Sequence, residues 1–226
     1  MALHLTKEIA KLKNKVLKLC ALVEENVKSA VDAVTNLDID LAISVKEKDD
    51  RIDSMEIELE EECLKILALY QPVANDLRYV IACLKMNNDL ERIGDLAVNI
   101  ARRAITVAKF SEEPIFLDFY PMMDKMRSML KNSLDALIEM NAELAVQVLT
   151  HDDEIDAMNK QMQKQVLELI KKNPEKVEYY IHLLSVSRHL ERIADYATNI
   201  AEDVIYMVTG KIVRHQHDTS FIKQKN

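Results

Sequence analysis

The chain has 226 residues, 49% of them hydrophobic and 30% charged, with two Gly, four Pro and no Trp. So few turn formers argue against β architectures, and a net charge of −8 at pH 7 argues against nucleic acid, whose phosphates are met by Lys and Arg. No stretch approaches the roughly 18 uncharged apolar residues of a membrane span, and Met1-Ala-Leu-His-Leu-Thr-Lys-Glu8 has no signal-peptide core.

Apolar residues recur at helical spacing almost throughout. Ile9, Leu12, Val16, Leu19, Val23, Val27, Ala30, Val31 and Val34 form one stripe of a long first helix, with Thr6 as its expected N-cap. Asp38 is the expected cap of a second helix ending near Tyr70, where Gln71-Pro72 breaks it. A third helix is expected from about Val73 to Lys109. Ser111-Glu-Glu-Pro114 reads as a linker. Helix four is expected over roughly Phe116 to Met140, interrupted early by Pro121. Asn141 stands where Asp38 stands in the first half, and helix five runs on to about Lys171. Asn173-Pro174-Glu175 combines a cap residue, a proline and an acid, a start signal for helix six.

The halves are copies. Leu90-Glu-Arg-Ile-Gly-Asp95 returns as Leu190-Glu-Arg-Ile-Ala-Asp195, an offset of 100. Earlier in the chain the offset is 103, as in Asp32/Asp135, Leu41/Leu144 and Val45/Val148. The three-residue difference falls in a helix–helix turn, where length changes cost least. The expected fold is all-α: two tandem three-helix bundles related by a pseudo-twofold axis. The repeats span 1–110 and 115–215, with a C-terminal tail over 216–226.

The duplication gives the acids their interest. Residues i and i+4 share a helical face. Glu91 with Asp95, and Glu191 with Asp195, are such pairs on the third and sixth helices. A second echoed phrase pairs Asp49 with Asp53 and Asp152 with Asp156 on the helices before them. With 38 acids, chance alone supplies roughly six such spacings, so only the repetition carries weight. Neighbouring positions have drifted, Arg51 to Glu154 and Lys85 to Ser185, while the acids stayed.

Like charges at i,i+4 cost a helix roughly 0.2–0.5 kcal/mol, and hard cations offset that repulsion. One reading is a multi-carboxylate metal site in each bundle. The other is a solvated acidic face, with Arg92 and Arg192 as local counter-charges. Ile93 and Ile193 read as core, and Gly94 and Ala194 as small residues under a closely packed helix. Asn99 and Asn199 extend the acidic face by a turn and read either as outer ligands or, the simpler reading, as helix–helix hydrogen-bonding groups. His151 and His189 neighbour the second set of acids and either could lend it a nitrogen ligand, but Lys48 and Asp89 stand at the matching first-half positions. Met122, Met123, Met126 and Met129 read as core filler. Cys20, Cys63 and Cys83, odd in number and scattered, read as reduced core thiols of a cytosolic protein.

These residues together resemble the PhoU family of phosphate-responsive regulators, from about Thr6 to His215. The resemblance rests on the twin Leu-Glu-Arg-Ile-Gly/Ala-Asp phrases, on the Asp-xxx-Asp pairs before them, and on Gln71-Pro72-Val-Ala-Asn-Asp-Leu-Arg78. It implies the two-bundle fold and metal clusters on acid-xxx-Asp motifs. By position the implied ligands are Asp49, Asp53, Glu91 and Asp95, then Asp152, Asp156, Glu191 and Asp195. The implied metals are divalent or trivalent ions (Fe, Mn, Mg or Zn), singly or as multinuclear clusters.

The resemblance further implies a cytoplasmic, non-enzymatic negative regulator of phosphate uptake. Its implied partners are the ATPase subunit of a phosphate ABC transporter and a sensor histidine kinase. A homodimer is implied, with the membrane reached only through partners. An accessory of a different phosphate carrier, and a carboxylate-metal enzyme, are the alternative readings. The Gln-Pro…Asp-Leu-Arg stretch has no second-half counterpart, so Asp76 and Arg78 serve either a one-sided partner contact or a helix-start cap and ion pair.

Overall fold

The computed structural model describes residues 2–110 and 117–213. The linker at 111–114, the Phe116 start expected for helix four, His215, His217 and the 216–226 tail lie outside the described residues. All regular structure in the described residues is helical. Helices α1 (Ala2–Asn36), α2 (Ile39–Tyr70) and α3 (Ala74–Val107) pack pairwise into one bundle. Helices α4 (Tyr120–Glu139), α5 (Ala142–Leu149), α6 (Asp152–Lys172) and α7 (Val177–Thr209) form the second.

The expected stripe of α1 is its buried face: Leu12, Val16, Leu19, Val23, Val27, Val31 and Val34 are all at most 1% exposed. Each such side chain contributes roughly 1.5–3 kcal/mol on leaving water. Met122, Met123, Met126 and Met129 fill the corresponding core of the second bundle. All three cysteines are buried and reduced, and burial pushes the Cys83 thiol up to about 12, well away from a reactive thiolate.

The turn between the first two helices of each bundle is repeated almost atom for atom. Leu37 (φ 54°) and Met140 (φ 55°) take the left-handed conformation. The next backbone N–H donates back into the preceding helix, Asp38 to Ala33 at 2.9 Å and Asn141 to Ala136 at 2.8 Å. Asp38 and Asn141 then cap the following helix through Leu41 N (2.9 Å) and Leu144 N (3.0 Å), as expected. Left-handed backbone strains a residue with a Cβ; packing of both side chains against the core offsets it.

Four local expectations are corrected. Thr6 lies inside α1, which already starts at Ala2. Pro121 is in the first turn of α4, where its missing N–H costs nothing, so it opens the helix instead of interrupting it. The single fifth helix is broken at Thr150-His151 into α5 and α6, whereas α2 runs unbroken. There the Thr150 hydroxyl bonds the Gln147 carbonyl, and three acids open α6 at the end where a helix favours negative charge. Finally, Asn173-Pro174-Glu175 leads into a 3-10 turn, Pro174–Lys176, before α7 begins at Val177.

The two bundles meet most extensively along α3 and α7. Arg78, early in α3, donates to the Met207 carbonyl late in α7 at 3.0 Å. Lys85 pairs with the buried Asp203 at 3.1 Å, and Arg103, late in α3, meets His182 early in α7 at 3.2 Å. Early positions thus meet late ones, so the helices run antiparallel, the arrangement that a twofold axis perpendicular to them produces. Among the described residues no helix is long and apolar enough to cross a membrane.

Candidate metal centre

Ile93 and Ile193 are fully buried, which turns the intervening acids of each phrase to the rim between α3 and α2, and between α7 and α6. Gly94 is the contact point in the first bundle. A Cβ there would lie 3.0 Å from Asp49 Oδ1 and 3.3 Å from Ile52 Cγ2. The missing side chain brings α2 against α3 and sets the Asp49 carboxylate beside the Glu91/Asp95 turn.

That approach gathers the first set of acids. Burial pushes the Asp49 carboxyl up to about 6, with Asp53, Asp95, Asp50 and Glu91 all adding to the rise. Glu91 is raised by its own burial and then by Asp95, with Asp53 and Glu56 contributing and Arg92 opposing. Arg92 lies 3.5 Å from Glu91 and 3.4 Å from Asp95. The second set is gathered likewise. Burial, Glu191, Asp152 and Asp156 push Asp195 up to about 6; Glu191 is raised by burial and then by Asp156 and Asp152, and Asp152 by burial and then by Asp156 and Asp153. All eight expected residues therefore fall into two clusters of four, one per bundle.

Within each cluster the charge is only partly met. Asp49 Oδ1 is buried without a hydrogen-bond partner, a costly position for a carboxylate oxygen. Asp156 has Lys160 at 3.1 Å, and Arg192 and Arg188 act on Glu191. As the side chains stand, no three Asp, Glu, His or Cys groups among the described residues converge closely enough to hold an ion. The all-oxygen donor set, the orphaned Asp49 oxygen and the bare Gly94 backbone beneath it nevertheless fit a hard cation, which takes carboxylate oxygens. Asp53 and Asp95 are exposed, so their side chains are free to turn.

Other expected residues have local partners. Asn99 accepts from Arg102 on its own helix at 3.2 Å instead of crossing to a neighbour, and Asn199 is exposed. His151 Nδ1 sits 3.0 Å from Glu154 and 2.9 Å from Lys125, turned to α4. His189 is held down to about 4 by burial and by Arg103 and Arg192. Arg78 also donates to Asn75, so it ties α3 to α7, while Asp76 is exposed in the first turn of α3.

One pair of residues beside each cluster escaped the sequence reading. Asn87, 2% exposed, donates to Glu56 Oε1 and to the Glu56 carbonyl, both at 2.8 Å. The equivalent positions hold Ser187 and Asn159, bonded at 3.0 Å. Each bond crosses from α2 to α3, or α6 to α7, one turn from the acids. The signal was present: Glu56 lies at i+3 from Asp53 and Asn87 at i−4 from Glu91, at matching offsets in both halves.

A duplicated all-α chain with one carboxylate cluster per bundle is the class these features define. The PhoU domain model matches it twice, over residues 16–104 and 119–204. The phosphate-specific transport system accessory protein PhoU homolog of Pseudomonas putida is 39% identical over 209 residues, 92% of this chain and 82% of that protein. The homolog of Aquifex aeolicus is 37% identical over 223 residues, 99% of each. The crystal structure of PhoU from Pseudomonas aeruginosa superposes with a TM-score of 0.87 at 37% identity, covering 91% of this chain and 99% of that one. This chain belongs to the PhoU family.

Proposed function

We propose that the protein is a cytoplasmic negative regulator of phosphate uptake, an adaptor that binds a metal in each bundle. The observation that carries the metal reading is the pair of carboxylate clusters at equivalent places, with the orphaned Asp49 oxygen in the first. The end-to-end likeness to relatives named for accessory roles in phosphate-specific transport supports the biological reading. Asp49, Asp53, Glu91 and Asp95 hold one site, and Asp152, Asp156, Glu191 and Asp195 the other. A bound metal (iron, manganese, magnesium or zinc) would supply the positive charge that offsets the repulsion among each set of acids. The adaptor's partners are a phosphate ABC transporter ATPase subunit and a sensor histidine kinase, and it works as a homodimer.

Binding fits the site better than catalysis. A hydrolytic site needs a base at the metal, and the two nearest histidines are occupied or shielded: His151 by Glu154 and Lys125, His189 beside Arg103. The test is elemental analysis of purified protein against Glu91→Ala/Asp95→Ala and Glu191→Ala/Asp195→Ala. Each pair is expected to remove the metal of one bundle; unchanged metal content in both would overturn the site. In cells, deleting the gene should leave phosphate uptake unrepressed in phosphate-rich medium. Asp76→Ala in otherwise intact protein tests the exposed start of α3 as a partner contact, by co-purification of the ATPase.

A further inference from the structure

The two clusters share a plan but not a charge balance. In the first, Glu56 joins the four acids: it lies on the same face of α2 as Asp53 and acts electrostatically on Glu91. The Asn87 amide N–H group holds it at 2.8 Å. Asn87 is 2% exposed, yet its Oδ1 meets no donor. A buried amide oxygen without a donor is an oxygen ligand in waiting. Beside the pair opens a cavity of about 240 Å³ lined by Glu56, Glu60, Lys85 and Asn87. Lys85 is engaged elsewhere, by Asp203 at 3.1 Å. Arg92 is the cation paired directly with this cluster's ligands.

The second cluster lacks the fifth acid. Asn159 and Ser187 occupy the corresponding places and bond each other, so the Asn159 oxygen is already used. It also has more counter-charge. Lys160, which stands where the first half has Ile57, lies 3.1 Å from Asp156, and Arg188, in place of Asn88, acts on Glu191 with Arg192. Asp152 moreover opens α6, where the helix N-terminus stabilises its charge, while Asp49 is in mid-helix. The Arg51/Glu154 exchange runs the opposite way, but Arg51 acts on Glu25 and Glu154 binds Lys125 at 2.7 Å, both away from the clusters.

We infer that Glu56 and Asn87 enlarge the first site with two further oxygen ligands, making the sites unequal, with the first binding divalent cations more tightly. The inference rests on the metal-binding reading above. A divalent ion beside two or three extra net negative charges at a partly screened rim gains about tenfold or more in affinity.

The test is calorimetric titration of the chelator-stripped full chain with Mn²⁺, with electron paramagnetic resonance of the bound ion. Wild-type protein should show two classes of site, and Glu91→Ala/Asp95→Ala should remove the tighter one. The double change Glu56→Asn/Asn87→Ser writes the second site's pair into the first, so its packing has a precedent in the same molecule. It should weaken the tight class severalfold, by the share of the charge term that Glu56 carries, and leave it tighter than the second site, where Lys160 and Arg188 remain. Glu56→Gln, which keeps the Asn87 bond, should weaken the tight class in the same direction, and Asn159→Glu/Ser187→Asn should tighten the other. Two equal sites in wild type, or a tight class unmoved by both Glu56 variants, would overturn this inference and leave metal binding standing. No Mn²⁺ bound at either site would overturn both.

Discussion

Replacing Asp49 and Asp195 together by Asn should stabilise the metal-free protein at neutral pH and do nothing near pH 4. Each carboxyl has a folded-state pKa of about 6 against an ordinary value of 3.8. A raised pKa means the folded chain binds more protons than the unfolded chain between those two values. The stability it contributes is therefore complete below about 3.8 and is lost as pH rises through about 6. A shift of about two units converts to about 3 kcal/mol at most. Both carboxylates keep contact with solvent, Asp195 through an exposed outer edge although its inner side is packed, so water screens each term to about 1 kcal/mol or less. The pair should cost the folded protein about 1–2 kcal/mol at pH 7.5.

Urea unfolding in chelator, followed by circular dichroism from pH 4.5 to 7.5, reads this directly. Glu25, Glu154 and Glu168, held low by their lysine partners, add a slope of the opposite sign in both proteins. The difference between wild type and Asp49→Asn/Asp195→Asn isolates the cluster. It should open in favour of the variant as pH rises. A difference that stays constant, or that is largest at pH 4.5, refutes the crowding argument.

Saturating Mn²⁺ at about 100 times Kd should raise wild-type stability by about 2.7 kcal/mol per site, and denaturation with and without chelator measures it. Gly94→Ala removes a helix penalty of up to about 1 kcal/mol but drives a methyl to 3.0 Å from Asp49 Oδ1. Its melting temperature should move only slightly while Mn²⁺ affinity at the first cluster falls; an unchanged affinity would show that Asp49 is no ligand. Asn26 is 0% exposed with neither amide atom partnered, and its equivalent in the second bundle is Met129. Asn26→Leu should therefore gain about 1 kcal/mol in urea unfolding. Lys85→Met removes a cation from Asp203, whose side chain is 6% exposed, and should cost about 1–3 kcal/mol in the same assay.

The fold was legible because helical periodicity and capping are local. The α1 stripe, the Asp38 and Asn141 caps and the twin acid phrases need no knowledge of what lies across the bundle. Duplication then converted local pattern into tertiary expectation: two helices with matched acid pairs in each copy. The break at Thr150-His151 was not legible, because the seven-residue step from Val148 to Ile155 matches that from Val45 to Ile52 in the unbroken α2, and the competing bonds are those of one hydroxyl and one turn. The Asn87–Glu56 bond was overlooked because polar residues on a helix read as solvent-facing until the opposite helix is placed. Asn26 was invisible for the same reason, its burial being set by what packs over it. Gly94 was read correctly as a close approach, yet only the structure puts an acid beneath it.

The antiparallel α3–α7 seam has a consequence beyond packing. Two separate copies of a bundle joined this way would part on dilution, since their association would depend on concentration. Joined in one chain, the halves face each other at an effective concentration on the order of millimolar, whatever the amount of protein in the cell. Neither half must then remain able to recognise an identical twin. Lys85 can become Ser185, and Arg103 can stand opposite in sequence to Asp203, without losing a partner. Covalent linkage is what allows one ancestral surface to become two different ones.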